Sequence, residues 1–243
     1  MQPIAPFLAN VEWGFLPALL AAGIISGLAG FVIGAPVLRL TDDYLAIATL
    51  GFAEIIRVVF TNTQSLTNGA LGLKGIPNYT NIWWSWGIAF VTIWFMTVLM
   101  KGSYGKAFLA IREDEVAARS MGINLFKHKV MSFSFGSFFA GVAGGLLAAL
   151  LGTIDPNMFR ISLTFNILLI VVLGGLGNIV GTAVSALVVT IMMEALRFLD
   201  ESINLGFIQL KGIPGMRMVV FSVILIAVVL IRREGALRKA KRV

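Results

Sequence analysis

Residues 101–129 read KGSYGKAFLAIREDEVAARSMGINLFKHK, the only long polar run between strongly apolar segments of this chain. From 104 to 121 the run reads as a helix. Phe108, Ile111, Glu115 and Ala118 recur three to four residues apart, which sets them on one side of the turn. Ala117, Ala118 and Gly122 make a small-residue corner that another surface could approach closely. Gly122 is also a candidate helix stop, because glycine takes the left-handed cap conformation without penalty. An amphipathic helix between two apolar segments has little of its own chain to pack on. Two readings therefore stand: a solvated connector, and a docking helix for a soluble partner.

Outward from this run the chain is apolar. Of its 243 residues 58% are hydrophobic and 13% charged, whereas soluble domains run near half apolar and about a quarter charged. Several stretches reach the roughly 20 apolar residues that a bilayer span needs, and none shows the alternating pattern of a barrel strand. The expected fold class is all-α: a polytopic transmembrane helical bundle, one domain over 1–243. Cysteine is absent, which excludes disulfides and thiolate metal sites. His128, between Lys127 and Lys129, reads as solvated rather than as a ligand, so no metal is expected. Residues 1–10 carry no basic stretch of the kind that opens a secretory signal.

The expected spans are 14–38, 44–60, 82–100, 130–151, the pair 162–173 and 179–199, and 214–231, with a basic tail at 232–243. Gly23, Gly27, Gly30 and Gly34 of the first span form two small-xxx-small patterns, the signature of a close-packing helix face. Trp83, Trp84 and Trp86 open the 82–100 span as an interfacial belt. If 101–129 lies inside, alternation puts the tail inside and 61–81, 152–161 and 200–213 outside. The inner side then holds Arg39, six Lys and Arg in 101–129 and six in the tail, against six acids, which accounts for the whole net charge of +7. That bias is the positive-inside rule, and it removes any need for nucleic acid as a partner. The same alternation leaves the N-terminus outside, with seven segments, as if upstream spans were missing.

Residues 73–77 and 210–214 both read Leu-Lys-Gly-Ile-Pro, and each copy follows a span ending in Glu-x-x-Arg. Segments 14–100 and 162–231 thus read as parallel repeats, joined by 101–129 and 130–151; such repeats commonly flank a translocation path. Glu54 and Arg57 sit one turn apart, as do Glu194 and Arg197. Ionisable residues within spans usually face the protein interior or water, so these are candidate pathway groups. The other reading is a structural pair snorkelling to the outer boundary, favoured for Glu194 and Arg197. Gly174, Gly175, Gly177 and Asn178 break one segment from the next. A broken helix exposes backbone groups that a zwitterionic solute could bind, although a tight turn is the favoured reading.

Catalytic signatures are missing. No phosphate-binding G-x-x-x-x-G-K followed by Ser or Thr occurs, nor does His-Glu-x-x-His or G-x-S-x-G, and no carboxylate pair is placed for acid–base work. No catalytic residue is assigned, and this chain is not expected to be an enzyme.

Three stretches carry a family resemblance: 36–57 with 66–73 (PVLRLTDDYLAIATLGFAEIIR and LTNGALGL), 110–124 (AIREDEVAARSMGIN) and 174–181 (GGLGNIVG). Together they resemble the LivM-like permease subunits of branched-chain amino acid ABC importers. The second is similar to the cytoplasmic loop with which such permeases dock on an ATPase. The resemblance implies that Arg112, Glu113, Glu115, Ala117, Ala118 and Gly122 belong to that coupling element. Val116 occupies the family's leading Glu position, with Glu115 one residue earlier. It further implies a second permease subunit as heterodimer partner, two cytoplasmic ATPase subunits that bind ATP and Mg, and an extracytoplasmic solute-binding protein. No cofactor would be bound by this chain. The implied setting is the lipid bilayer of the bacterial inner membrane, with the C-terminus cytoplasmic, and the implied solutes are leucine, isoleucine and valine. Family members usually begin with additional spans that this chain lacks, which suggests a truncated chain. The alternative from another class is an ion-coupled secondary transporter or channel that uses Glu54 and Arg57.

Overall fold

The structure is a computed structural model that describes residues 14–40, 42–196, 203–204 and 209–210. The chain divides into two compact units, Met1–Phe165 and Asn166–Val243. As the composition requires, the described architecture is all-α with only two-residue strands.

In the first unit, α1 (Phe15–Val37) turns at Leu38 into α2 (Asp42–Asn62). A short helix α3 (Gln64–Thr67), a 3-10 turn (Gly69–Leu71) and strand β1 (Leu73–Lys74) lead to α4 (Ile82–Lys101). The polar run forms α5 (Ser103–Glu113) and α6 (Glu115–Ser120). Then comes α7 (Leu125–Leu151), followed by strand β2 (Thr153–Ile154) and a 3-10 turn (Pro156–Met158). Among the described residues four helices are long and apolar enough to cross a membrane: α1, the Tyr44–Asn62 part of α2, α4 and α7.

The small-residue face of α1 is where the bundle closes. It packs antiparallel on α7: Gly23 faces Phe138 and Val142, Gly27 faces Phe138 and Ser134, and Gly34 faces Phe133. From the other side Gly141 faces Ser26 and Ala22, and Gly145 faces Leu19. A Cβ at Gly23 would lie 2.8 Å from both Phe138 and Val142, so only glycine admits this spacing. Ser26 Oγ donates to Ser137 O across the seam at 2.7 Å. Helix α4 joins through aromatic edges, Phe15 on Trp84 at 5.2 Å and Phe95 on Phe139 at 5.3 Å. No described side chain of α2 or α4 is buried, as suits helices whose remaining faces meet lipid or another subunit.

Two features differ from the sequence reading. Helix α7 starts five residues before the expected 130, because Asn124 caps it, its Oδ1 accepting from Lys127 N at 3.0 Å. The connection 61–81, left between two expected spans, is ordered against the C-terminal end of α7. Leu73 pairs with Ile154 and Lys74 with Thr153, Ile76 N donates to Gly152 O at 3.0 Å, and Thr80 Oγ1 donates to Leu146 O at 2.9 Å. That clasp puts 61–81 and 152–161 on one side, as the alternation requires.

The unit boundary falls within α8 (Ile161–Gly174). In the second unit α8 ends at a tight turn into α9 (Ile179–Ala195), and β3 (Ile203–Asn204) pairs antiparallel with β4 (Gln209–Leu210). Leu73 and Leu210, which open the two Leu-Lys-Gly-Ile-Pro copies, both lie in such short strands. Arg197, the rest of the second copy, the 214–231 span and the 232–243 tail lie outside the described residues, as do residues 1–13. The last part of the expected repeat of 14–100 in 162–231, its 214–231 span, falls on them.

Gly23→Leu is expected to force α1 from α7 and to cost about 1–3 kcal/mol, the usual range for overpacking. Gly144→Ala, on α7 with nothing within 4 Å of its Cβ position, is expected to leave stability unchanged or slightly raised. Thermal unfolding of both variants in detergent, side by side, checks the contrast.

Candidate functional site

The polar run is two helices, not one. Asp114 stands between α5 and α6 in extended backbone (φ −157°, ψ 114°), and its Oδ1 accepts from Val116 N at 2.8 Å and Ala117 N at 3.0 Å. An aspartate followed by an acidic first turn is an N-cap signature; here it outweighs the unbroken helical spacing of 104–121. The far end closes at Gly122 (φ +80°). Ile123 N donates to Ala118 O at 3.1 Å and Gly122 N to Arg119 O at 3.0 Å, the paired bonds of a Schellman cap. Gly122 is therefore the helix stop expected of it.

The face formed by Phe108, Ile111, Glu115 and Ala118 does exist, and it looks inward. Ala118 is 3% exposed and Ile111 8%. Glu115 pairs with Lys129 of α7 at 2.5 Å. His128 lies between the rings of Tyr104 and Phe108, each with its centroid 6.1 Å away, and its Nδ1–H donates to Asn124 O at 2.8 Å. Two sequence expectations are corrected here. The helix has its own chain to pack on, namely the first two turns of α7, which begins ahead of the expected 130–151 span. His128 is half-buried rather than solvated. Ala118, which the resemblance assigned to the coupling element, is buried in this chain.

What faces outward is a different set. Val116 is 77% exposed and Met121 83%, with Ala117 exposed between them. Arg112 and Glu113, also exposed, pair with each other beside this edge. The described residues thus present a small apolar edge flanked by charge, on helices outside the long apolar segments. Behind it lies an open cavity of about 780 Å³, bounded by Leu38, Leu40 and Leu45 of the α1–α2 elbow, Phe133 of α7 and the polar groups from Arg112 to Glu115.

The remaining candidates fall elsewhere. Arg57 Nε donates to both carboxylate oxygens of Glu54 at 3.0 Å, and Arg57 Nη1 reaches Asn157 Oδ1 at 3.5 Å. The pair thus sits at the end of α2 that meets the 152–161 turn. Glu194 lies in the last turn of α9; its expected partner Arg197 is outside the described residues. At the break, Gly175 (φ +91°) and Gly177 (φ +83°) carry the reversal. Asn178 Oδ1 caps α9 by accepting from Gly181 N at 2.9 Å, and Asn178 N donates to Gly175 O at 3.0 Å. These hydrogen bonds close the turn on itself. Among the described residues no cluster of His, Cys, Asp and Glu is placed to hold a metal ion.

Long apolar helices interrupted by one polar, exposed helix pair define a polytopic membrane protein. Residues 4–229 match the family described as branched-chain amino acid transport system / permease component, and the chain belongs to that family. It is similar to the high-affinity branched-chain amino acid transport system permease protein LivM of Salmonella typhimurium, at 33% identity over 77% of this chain and 52% of that protein. It is also similar to the probable branched-chain amino acid transport permease protein LivM of Methanocaldococcus jannaschii, at 28% identity over 81% of this chain and 60% of that one. The ribose import permease protein RbsC of Escherichia coli is 28% identical over 82% of this chain and 66% of its own length. The chain spans about half the length of the Salmonella relative. No solved structure matches it.

Removing the cap with Asp114→Ala is expected to loosen α6 by ~1 kcal/mol, speeding amide exchange over 116–120 about fivefold. Asp114→Asn, which keeps the accepting oxygen, is expected to leave exchange near the wild-type rate; hydrogen-exchange mass spectrometry reads both.

Proposed function

We propose that this chain is a membrane-spanning permease subunit of an ATP-driven importer of branched-chain amino acids in the bacterial inner membrane. Separate ATPase subunits dock on α5 and α6 from the cytoplasm, bringing ATP and Mg with them. A second permease subunit completes the pathway, and a solute-binding protein delivers leucine, isoleucine or valine at the opposite face. The C-terminal tail lies on the cytoplasmic side.

The exposed edge of Val116, Ala117 and Met121 carries this reading. It stands on a helix fixed from behind by Ala118, Ile111 and the Glu115–Lys129 pair, so a partner meets a preformed surface. The Lys and Arg bias of 101–129 supports its cytoplasmic side, and the names of the LivM relatives support the solute class. An ion-coupled mechanism would need Glu54 to exchange a proton or cation, and its carboxylate is occupied by Arg57. Similarity to a ribose permease favours one second reading, a sugar as the solute in the same machine.

Val116→Asp and Met121→Asp each put a carboxylate where the ATPase would desolvate it, at an expected cost of ~2 kcal/mol or more. ATPase recovery in pull-downs from native membranes is expected to fall about tenfold or more; recovery equal to wild type would refute the docking. Uptake of labelled leucine against labelled ribose by the complete complex decides the solute.

A further inference from the structure

Resting on the importer reading and deepening it, we infer that α7 is the rod that carries the ATPase stroke across the membrane, with Lys129 and Thr80 as positioning residues at its two ends. The helix is long enough for this. Its 27 residues at ~1.5 Å each span about 40 Å, against roughly 30 Å of hydrocarbon. The helix is thus longer than the lipid core is thick, and both of its ends are held by residues remote in sequence.

At the inner end, α5 and α6 grip the first turns of α7 through three different interactions. Glu115 bridges to Lys129, the His128 ring lies between Tyr104 and Phe108, and Ile111 and Ala118 are buried. A displacement of α6 by an ATPase thus moves α7 with it, since a packed joint shifts as a unit rather than deforming continuously. Along the span the rod is seated on α1 by glycine contacts. At the outer end the clasp takes over: Thr80, the one buried polar residue among those described, donates to Leu146 O, and β1 pairs with β2. The connection between α2 and α4 is thereby joined to the end of α7, so the stroke arrives at the face where solute enters.

The test uses the complete complex in proteoliposomes, scored for ATPase capture, ATP hydrolysis and uptake per ATP. Lys129→Glu is expected to lower uptake per ATP about two- to thirty-fold with capture intact, and Glu115→Lys to lower it in the same range, the range for residues on a coupling route. The double exchange is expected to recover most of it. Thr80→Val is expected to lower uptake per ATP in the same range, and Thr80→Ser, which keeps the donor, to preserve it. Because the chain has no cysteine, Leu73→Cys with Ile154→Cys can be cross-linked across their paired strand positions. The cross-linked protein is expected to keep transporting, since the clasp moves as one body. Normal capture with unaltered uptake per ATP in the single charge variants overturns the inference alone, as does a double exchange that recovers nothing or a cross-link that stops uptake. A wild-type chain that captures no ATPase overturns the importer reading, and the inference with it.

Discussion

Two apolar helices in lipid gain little by hiding their side chains from one another, so their association depends on how closely the backbones can approach. In this chain the approach is made between α1 and α7. Glycines on both helices let Phe138, Val142 and Phe133 of one, and Leu19 and Ser26 of the other, fill the space that a Cβ would take. The Ser26–Ser137 hydrogen bond adds a polar tie in a medium that offers no water as competitor. This seam sets where α7 enters and leaves the bilayer. Everything attached to its ends inherits that position: the α5–α6 pair at one end and the β1–β2 clasp at the other.

The seam was legible in the sequence because small-xxx-small spacing on a single helix is a local pattern, and Gly23, Gly27 and Gly34 meet it with side chains of α7. The four long spans α1, α2, α4 and α7 were legible for the same reason: length and apolarity are properties of one segment. The clasp was not. Its strands are two residues long, too short to show alternation. The partners Leu73 and Ile154 are distant in sequence, and no local signal joins them.

The α5–α6 pair was legible in part. Periodicity correctly grouped Phe108, Ile111, Glu115 and Ala118 on one face, but periodicity cannot say which way a face looks. Two facts decided it, and both lie outside 104–121. Helix α7 begins at Leu125, so its first turns offer a surface beside α5 and α6. Lys129 stands there to receive Glu115. The break at Asp114 was written locally, as an aspartate followed by an acidic first turn, and the longer apolar rhythm masked it. At Glu54 and Arg57 the spacing of one turn foretold the pair, whereas the reach of Arg57 to Asn157 again depends on the clasp.

A six-residue helix such as α6 has no stability of its own in water, because helix nucleation is costly and six residues repay little of it. Here its order is supplied from outside: the Asp114 cap at one end, the Gly122 cap at the other, and Ala118 pressed on the chain behind. Those restraints act on the inward side and leave Val116 and Met121 bare. A partner binding that edge has no loop to order first, which keeps more of the contact energy for association. The same restraints mean that the edge cannot move alone. On the importer reading, force applied at Val116 and Met121 would reach Ala118 and Glu115 within one turn, and α7 through the Glu115–Lys129 pair. Rigidity of the surface and transmission through it are therefore one structural property, set by a caged alanine and an ion pair.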